Sequence, residues 1–176
     1  IAWLGCQCVL HSPTSPERTH TSRHKPLVAG LLGLYLLVQL LLPLRHYLYD
    51  GDPSWTEEGH RYAWHMKLRD KNADAVFQVV DTQSGQTWQV LPEDYLLGWQ
   101  ARKVAAHPHM IWQFARFLAG EWEKQGVTEL AVYADVMVSL NGRSPQPLID
   151  PNVDLLAQTF SLRPSGWIVP LTEPLN

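Results

Sequence analysis

With 176 residues, 45 % of them hydrophobic, and a formal charge of -3, the chain has too much apolar content for general disorder. It also has no basic stripe with which to neutralise phosphates, which excludes nucleic acid as a partner. One compact core beside an appendage is the most this length should hold.

Ile1 to Leu10 reads like the tail of an apolar segment whose beginning is missing, without the basic start and small-residue cleavage site of a signal peptide. The expectation is therefore a piece of a longer protein. Cys6 and Cys8 lie too close for an ordinary disulfide and have no second pair to complete a zinc site. His11 to Pro26 (HSPTSPERTHTSRHKP) is rich in Ser, Thr, Pro and basic groups and cannot repay the cost of ordering. Residues 1–26 are expected to be a flexible cytoplasmic linker.

Leu27 to Leu44 (LVAGLLGLYLLVQLLLPL) runs without a charge for about 18 residues, near the length that spans a hydrocarbon core. Residues 27–46 therefore read as a transmembrane helix in contact with membrane lipid; the alternative is a buried core helix of a soluble α+β protein. Arg18, Arg23 and Lys25 precede the run, whereas Asp50, Asp52, Glu57 and Glu58 follow it. That asymmetry puts the linker in the cytoplasm and residues 47–176 outside it, as an extracytoplasmic α+β domain. Tyr47, Tyr49 and Trp55 suit an interfacial aromatic belt.

Trp55 to Leu68 reads either as a short helix from the Thr56-Glu57-Glu58 cap signal or as strand from Tyr62. Ala75 to Asp81 and Gln86 to Leu91, joined by Thr82 to Gly85, predict a β-hairpin. Pro92 and the His107-Pro108 pair bracket a helix over Glu93 to Ala106. A second helix is predicted from Pro108 to Gln125, with Ile111, Phe114, Ala115, Leu118 and Trp122 on one face and Gly126 as its stop. Leu130 to Leu140 is the longest strand candidate; Asn141-Gly142 turns it, and Pro147 to Ile149 would pair back. The fold class is thus α+β, one transmembrane helix followed by an antiparallel sheet with packed helices.

Among the eight histidines there is no helical His-x-x-x-His pair, His20 and His24 lying in the Ser-, Thr- and Pro-rich linker, and no His-Glu-x-x-His pattern, so no metal is expected. His107 and His109 straddle a helix start, where solvated capping is the plainer reading. No Gly-x-Ser-x-Gly elbow and no phosphate loop occurs. Asp135, in mid-strand, reads as partly exposed or Arg-paired, with an inward catalytic acid as the alternative. Asp150 suits a turn, and Asp154 the first turn of a helix. The segment from Trp55 to Trp64 (WTEEGHRYAW) stands apart, because its two tryptophans, His60, Arg61 and Tyr62 supply flat apolar walls and cationic donors together. Such a set suits an acidic side chain or an aromatic ligand; interfacial anchoring and core packing are the other reading.

The runs Gln39 to His46 (QLLLPLRH), Trp55-Thr56, Tyr62 to Met66 (YAWHM), Val132 to Arg143 (VYADVMVSLNGR) and Ile149 to Asp154 (IDPNVD) carry a resemblance. In order and spacing, from about Leu27 to Leu171, the chain resembles the C-terminal half of vitamin K-dependent γ-glutamyl carboxylases. It is most similar to their bacterial relatives, the horizontally transferred transmembrane domain (HTTM) proteins. The resemblance implies a polytopic membrane enzyme in the bacterial inner membrane that uses reduced vitamin K, O2 and CO2. Quinone oxidation there generates a base, the base removes a γ-proton from a glutamate, and CO2 traps the carbanion. The family's catalytic lysine belongs to earlier membrane helices, and Lys67, Lys71 and Lys103 do not match it, so this portion alone should be inactive.

By position, Trp55, Trp64 and Met66 match family residues near the glutamate pocket, and Tyr62 matches a neighbouring aromatic. The animal enzymes carry Leu and Tyr at the positions of Gly59 and His60, and His at that of Arg69. The resemblance therefore implies substrate recognition here, of a glutamate-containing peptide or small molecule, with Arg61, Arg69 or Arg45 as the carboxylate holder. The alternative is a single-pass, membrane-anchored extracytoplasmic binding module without catalysis.

Overall fold

A computed structural model describes residues 25–49, 51–60, 69–159, 161 and 163–172. By its internal contacts the chain divides into two units, residues 1–38 and 39–176. The predicted linker, apart from Lys25 and Pro26, lies outside the described residues.

Helix α1 (Lys25–Leu41) overturns the predicted transmembrane span. Its 17 residues reach only about 25 Å at 1.5 Å per residue, against the ~30 Å of a hydrocarbon core. Among the described residues no helix is long and apolar enough to cross a membrane. Pro43 is the physical reason: it has no N–H to give the helical ladder and its ring clashes with the preceding turn. The backbone tightens there into a 3-10 helix, Pro43–Leu48. Hydropathy alone counted Pro43 and Leu44 as part of one continuous span.

The second unit is α+β. Its sheet has the order β2-β1-β3-β4, antiparallel throughout. Strands β1 (Lys71–Asp81) and β2 (Thr87–Val90) form the predicted hairpin, with Phe77 opposite Val90 and Val80 opposite Thr87. Strand β3 (Leu130–Leu140) pairs along all of β1, and a short β4 (Gln146–Pro147) pairs back after the turn. Asn141 and Gly142 both take positive φ, 53° and 74°, in a tight turn closed by the Arg143 N–H donating to the Leu140 carbonyl at 3.2 Å.

Alternation along β1 and β3 turns Phe77, Val79, Val132, Val136 and Val138 into the core. Asp135 falls in the other phase and is exposed, so it is no inward acid. Two helices cover the buried face, α3 (Gly98–Ala106) against β1 and α4 (Pro108–Glu123) against β3. The predicted face of α4 (Ile111, Phe114, Ala115, Leu118 and Trp122) is buried, and Phe114 meets Phe77 edge-on at 4.9 Å.

The helix expected from Glu93 to Ala106 is divided instead. Asp94 Oδ2 accepts the Leu91 N–H at 2.9 Å, closing a 3-10 turn over Pro92–Asp94, and Gln100 Oε1 accepts the Leu97 N–H at 3.0 Å to start α3. Two local caps thus interrupt what composition presented as one helix. After β4 the chain runs on along the outer edge of β3 in irregular structure pinned by Asp154, whose Oδ1 accepts the N–H groups of Val132 at 3.0 Å and Leu156 at 2.9 Å.

Candidate functional site

The site grows from a single turn of helix, α2 (Pro53–Thr56). Asp52 caps it by accepting the Ser54 N–H at 2.6 Å, and Pro53 fits the first helical position, where no N–H is required. Glu57 ends it in the left-handed conformation, φ 62°. That reversal sends the Glu57 carboxylate inward, where Arg69 Nη2 donates to Oε2 at 2.6 Å and Lys71 Nζ to Oε1 at 3.0 Å. His107 Nε2 stands 3.9 Å from the same Oε1.

This ion cluster is largely shielded, with side-chain exposures of 9 % for Arg69, 5 % for Lys71 and 14 % for Glu57. The Lys71 ammonium also donates to the carbonyls of Trp55 at 2.7 Å and Ala106 at 3.4 Å, so all three of its protons have acceptors. Burial lowers its pKa, while the adjacent Glu57 carboxylate pulls the other way. Lys71 shares the inward phase of β1 with Ala73, Ala75, Phe77 and Val79. A lysine at the mouth of an inward-facing row was the sequence signal for this cluster.

Beside the cluster opens a cavity of about 250 Å³. Tyr49, Met110, Trp112 and Trp167 give it apolar walls; Arg45, Glu57, Glu58, His60, His107 and His109 reach it from two sides. The walls are tied across the chain: Glu58 Oε1 accepts the Ser165 N–H at 2.7 Å, and Trp112 Nε1 donates to the Gln158 carbonyl at 3.0 Å. Arg45 places its guanidinium carbon 5.8 Å from the Tyr49 ring centre. Its Nε is buried and has no hydrogen-bond partner among the described residues. Buried donors are rarely left so, and the guanidinium that carries this one belongs to a residue of the cavity wall.

Gly59 lets the segment close on itself. It has φ 67°, and a Cβ there would stand 2.7 Å from His46 Cα and 2.8 Å from Tyr49 Cδ2. Gly59→Ala should therefore cost the domain about 2–4 kcal/mol, the backbone strain and the overlap adding. Denaturant unfolding checks this; an unchanged midpoint would show that the loop accommodates a side chain.

The sequence-named residues are placed unevenly. Trp55 is 1 % exposed, and its indole N–H donates to the Val169 carbonyl at 2.7 Å; it packs in the core behind the cavity and does not line it. Arg69 is engaged by Glu57 and, at 3.4 Å, by the Pro53 carbonyl. Arg61, Tyr62, Trp64 and Met66 lie outside the described residues. Of the two described arginines considered for a carboxylate, Arg45 lines the cavity and Arg69 does not. Sequence reasoning had not connected Trp112, Trp167, His107 or His109 with it, because they come from stretches of chain more than 60 residues from Arg45.

The cavity is somewhat smaller than the ~300–1,000 Å³ of sites that enclose drug-sized ligands, and is large enough for a side chain. Among the described residues no group of three or more His, Cys, Asp or Glu is placed to hold a metal ion.

No solved structure matches the chain significantly. The family model described as the vitamin K-dependent gamma-carboxylase lumenal domain matches residues 24–174, nearly the whole chain. Covered to that extent, the chain belongs to the vitamin K-dependent gamma-carboxylase family, through its lumenal domain.

Proposed function

We propose that this domain is the substrate-recognition part of a γ-carboxylase-like enzyme, and that the Arg45 cavity receives the side-chain carboxylate of a glutamate. Arg45 in the wall of a side-chain-sized cavity, with its Nε left without a partner among the described residues, carries this reading. A carboxylate there gains charge-assisted hydrogen bonds from the guanidinium, while Trp112 and Trp167 exclude water from them. Glu57 is held away from that cation by Arg69 and Lys71, which leaves Arg45 for the ligand. Trp55 and Arg69 act as positioning residues behind the wall, and Arg61, Tyr62, Trp64 and Met66 join the recognition segment, as the family resemblance implies.

In this reading the domain is extracytoplasmic, in keeping with a lumenal-domain family. Reduced vitamin K, O2 and CO2 are used, and the base is generated, in a part of the enzyme that this chain does not carry. Gly59, His60 and Arg69, which depart from the animal enzymes, support a bacterial relative of the HTTM type with its own glutamate-containing substrate.

Arg45→Gln in the full-length protein should weaken a glutamyl peptide roughly 10- to 100-fold, the worth of hydrogen bonds to a charged partner. The corresponding glutaminyl peptide should change little. Equal affinity of the variant and the parent for the glutamyl peptide, measured by calorimetric titration, would remove Arg45 from the site.

A further inference from the structure

A second depression, of about 480 Å³, lies between the start of β1 and helix α3 and is lined by Arg69, Asp70, Lys71, Trp99, Arg102, Lys103 and His107 among others. Its charge is positive on a chain whose formal charge is -3. Arg69 and Lys71 are engaged by Glu57 at its floor. Arg102 and Lys103 have no carboxylate partner among the described residues, and both are exposed. Trp99, 59 % exposed, stands beside them. Unpaired Arg and Lys next to an open indole form the usual core of a site for an anionic chain, with the ring supplying area and the cations orientation.

His107 lines both this groove and the Arg45 cavity, so the two depressions share a lining residue. A peptide whose glutamate side chain occupied the first would carry its neighbouring residues, about 3.3 Å apart along an extended chain, toward the second. We propose that the groove docks the acidic residues flanking the glutamate held at Arg45, through Arg102, Lys103 and Trp99. This rests on the carboxylate reading of the first cavity. Preference for acidic surroundings is set on α3, apart from the residue that holds the reacting carboxylate.

The test uses the full-length protein and two synthetic peptides, each with one central glutamate, flanked in one by glutamates and in the other by glutamines. At low ionic strength the acid-flanked peptide should bind on the order of tenfold tighter, and 0.5 M salt should erase the difference, as for exposed ion pairs. Arg102→Glu with Lys103→Glu, both at exposed positions, should abolish the preference and leave the glutamine-flanked peptide unchanged. Trp99→Ala should reduce the preference several-fold. No preference in the parent protein, or equal weakening of both peptides in the charge-reversed variant, overturns the proposal. So does stronger Arg102- and Lys103-dependent binding of phosphatidylserine vesicles than of the acidic peptide. Arg45→Gln separates the two readings: if it leaves the glutamine-flanked peptide unaffected while charge reversal still removes the preference, the groove stands and the Arg45 assignment falls.

Discussion

Glu57→Ala is expected to lower the stability of the domain by about 3–5 kcal/mol, because it leaves two buried cations facing each other without their shared carboxylate. Arg69 cannot lose its proton, so Lys71 must yield. Its pKa already lies below the ordinary 10.5 through burial, and removal of Glu57 takes away the attraction that opposes the fall. The sign of the pH dependence follows. Between the folded and unfolded pKa values of Lys71, the unfolded chain holds a proton that the folded one has released, so stability rises with pH. The gain is complete above about 10.5 and is lost as pH falls through the folded value. The variant should therefore recover part of its loss in alkaline solution over a wider window than the parent. Glu57→Ala with Lys71→Met should be less damaged than Glu57→Ala alone, since the pair is removed together. Denaturant titrations of the two variants from pH 7 to 10.5 check both; a midpoint within 0.5 kcal/mol of the parent would mean that the cluster is solvated.

Trp55→Ala should cost about 3–5 kcal/mol, as large aromatic truncations in cores do. The side chain is 1 % exposed, its N–H satisfies the Val169 carbonyl, and its ring lies 5.9 Å from the Lys71 ammonium. Trp55→Phe should keep most of the packing and lose the hydrogen bond, at about 1–3 kcal/mol. A residue acting on substrate alone would show the opposite pattern, with intact unfolding midpoints and a changed affinity for glutamyl peptide. Chemical unfolding and peptide titration of both variants separate these outcomes.

Much of the scaffold was legible because periodicity and turn chemistry agreed. The alternation of Val132, Ala134, Val136 and Val138, stopped by Asn141-Gly142, specified β3 and its turn, and the spacing of Ile111, Leu118 and Trp122 specified the buried face of α4. Where two signals competed, the reading failed. The Leu-rich run looked like a span because apolar composition was counted through Pro43, although a proline ends a helical ladder whatever its neighbours. Segment 93–106 looked like one helix because the caps of Asp94 and Gln100 act within three residues and leave no periodic trace.

The site was legible only in part, for a geometric reason. Arg45 stood out as a cation near the aromatic segment. Its partners in the cavity wall, among them Trp112 and Trp167, are brought to it by the sheet and α4 from more than 60 residues away. No local spacing encodes that meeting. Trp55 illustrates the converse: density of aromatic and charged residues marked its stretch, yet burial assigns that ring to the core, while Arg45 lines the cavity.

The central claim, that the domain serves a γ-carboxylase-like reaction by presenting a glutamate carboxylate, is tested most directly on the full-length protein. It is supplied with reduced vitamin K, O2, labelled bicarbonate and a glutamyl peptide, and quinone epoxide and fixed label are read separately. The account predicts both products, with label entering the glutamyl but not the glutaminyl peptide and falling at least tenfold at subsaturating peptide in Arg45→Gln. Folded protein that forms no epoxide, or that fixes label equally in both peptides, would contradict it.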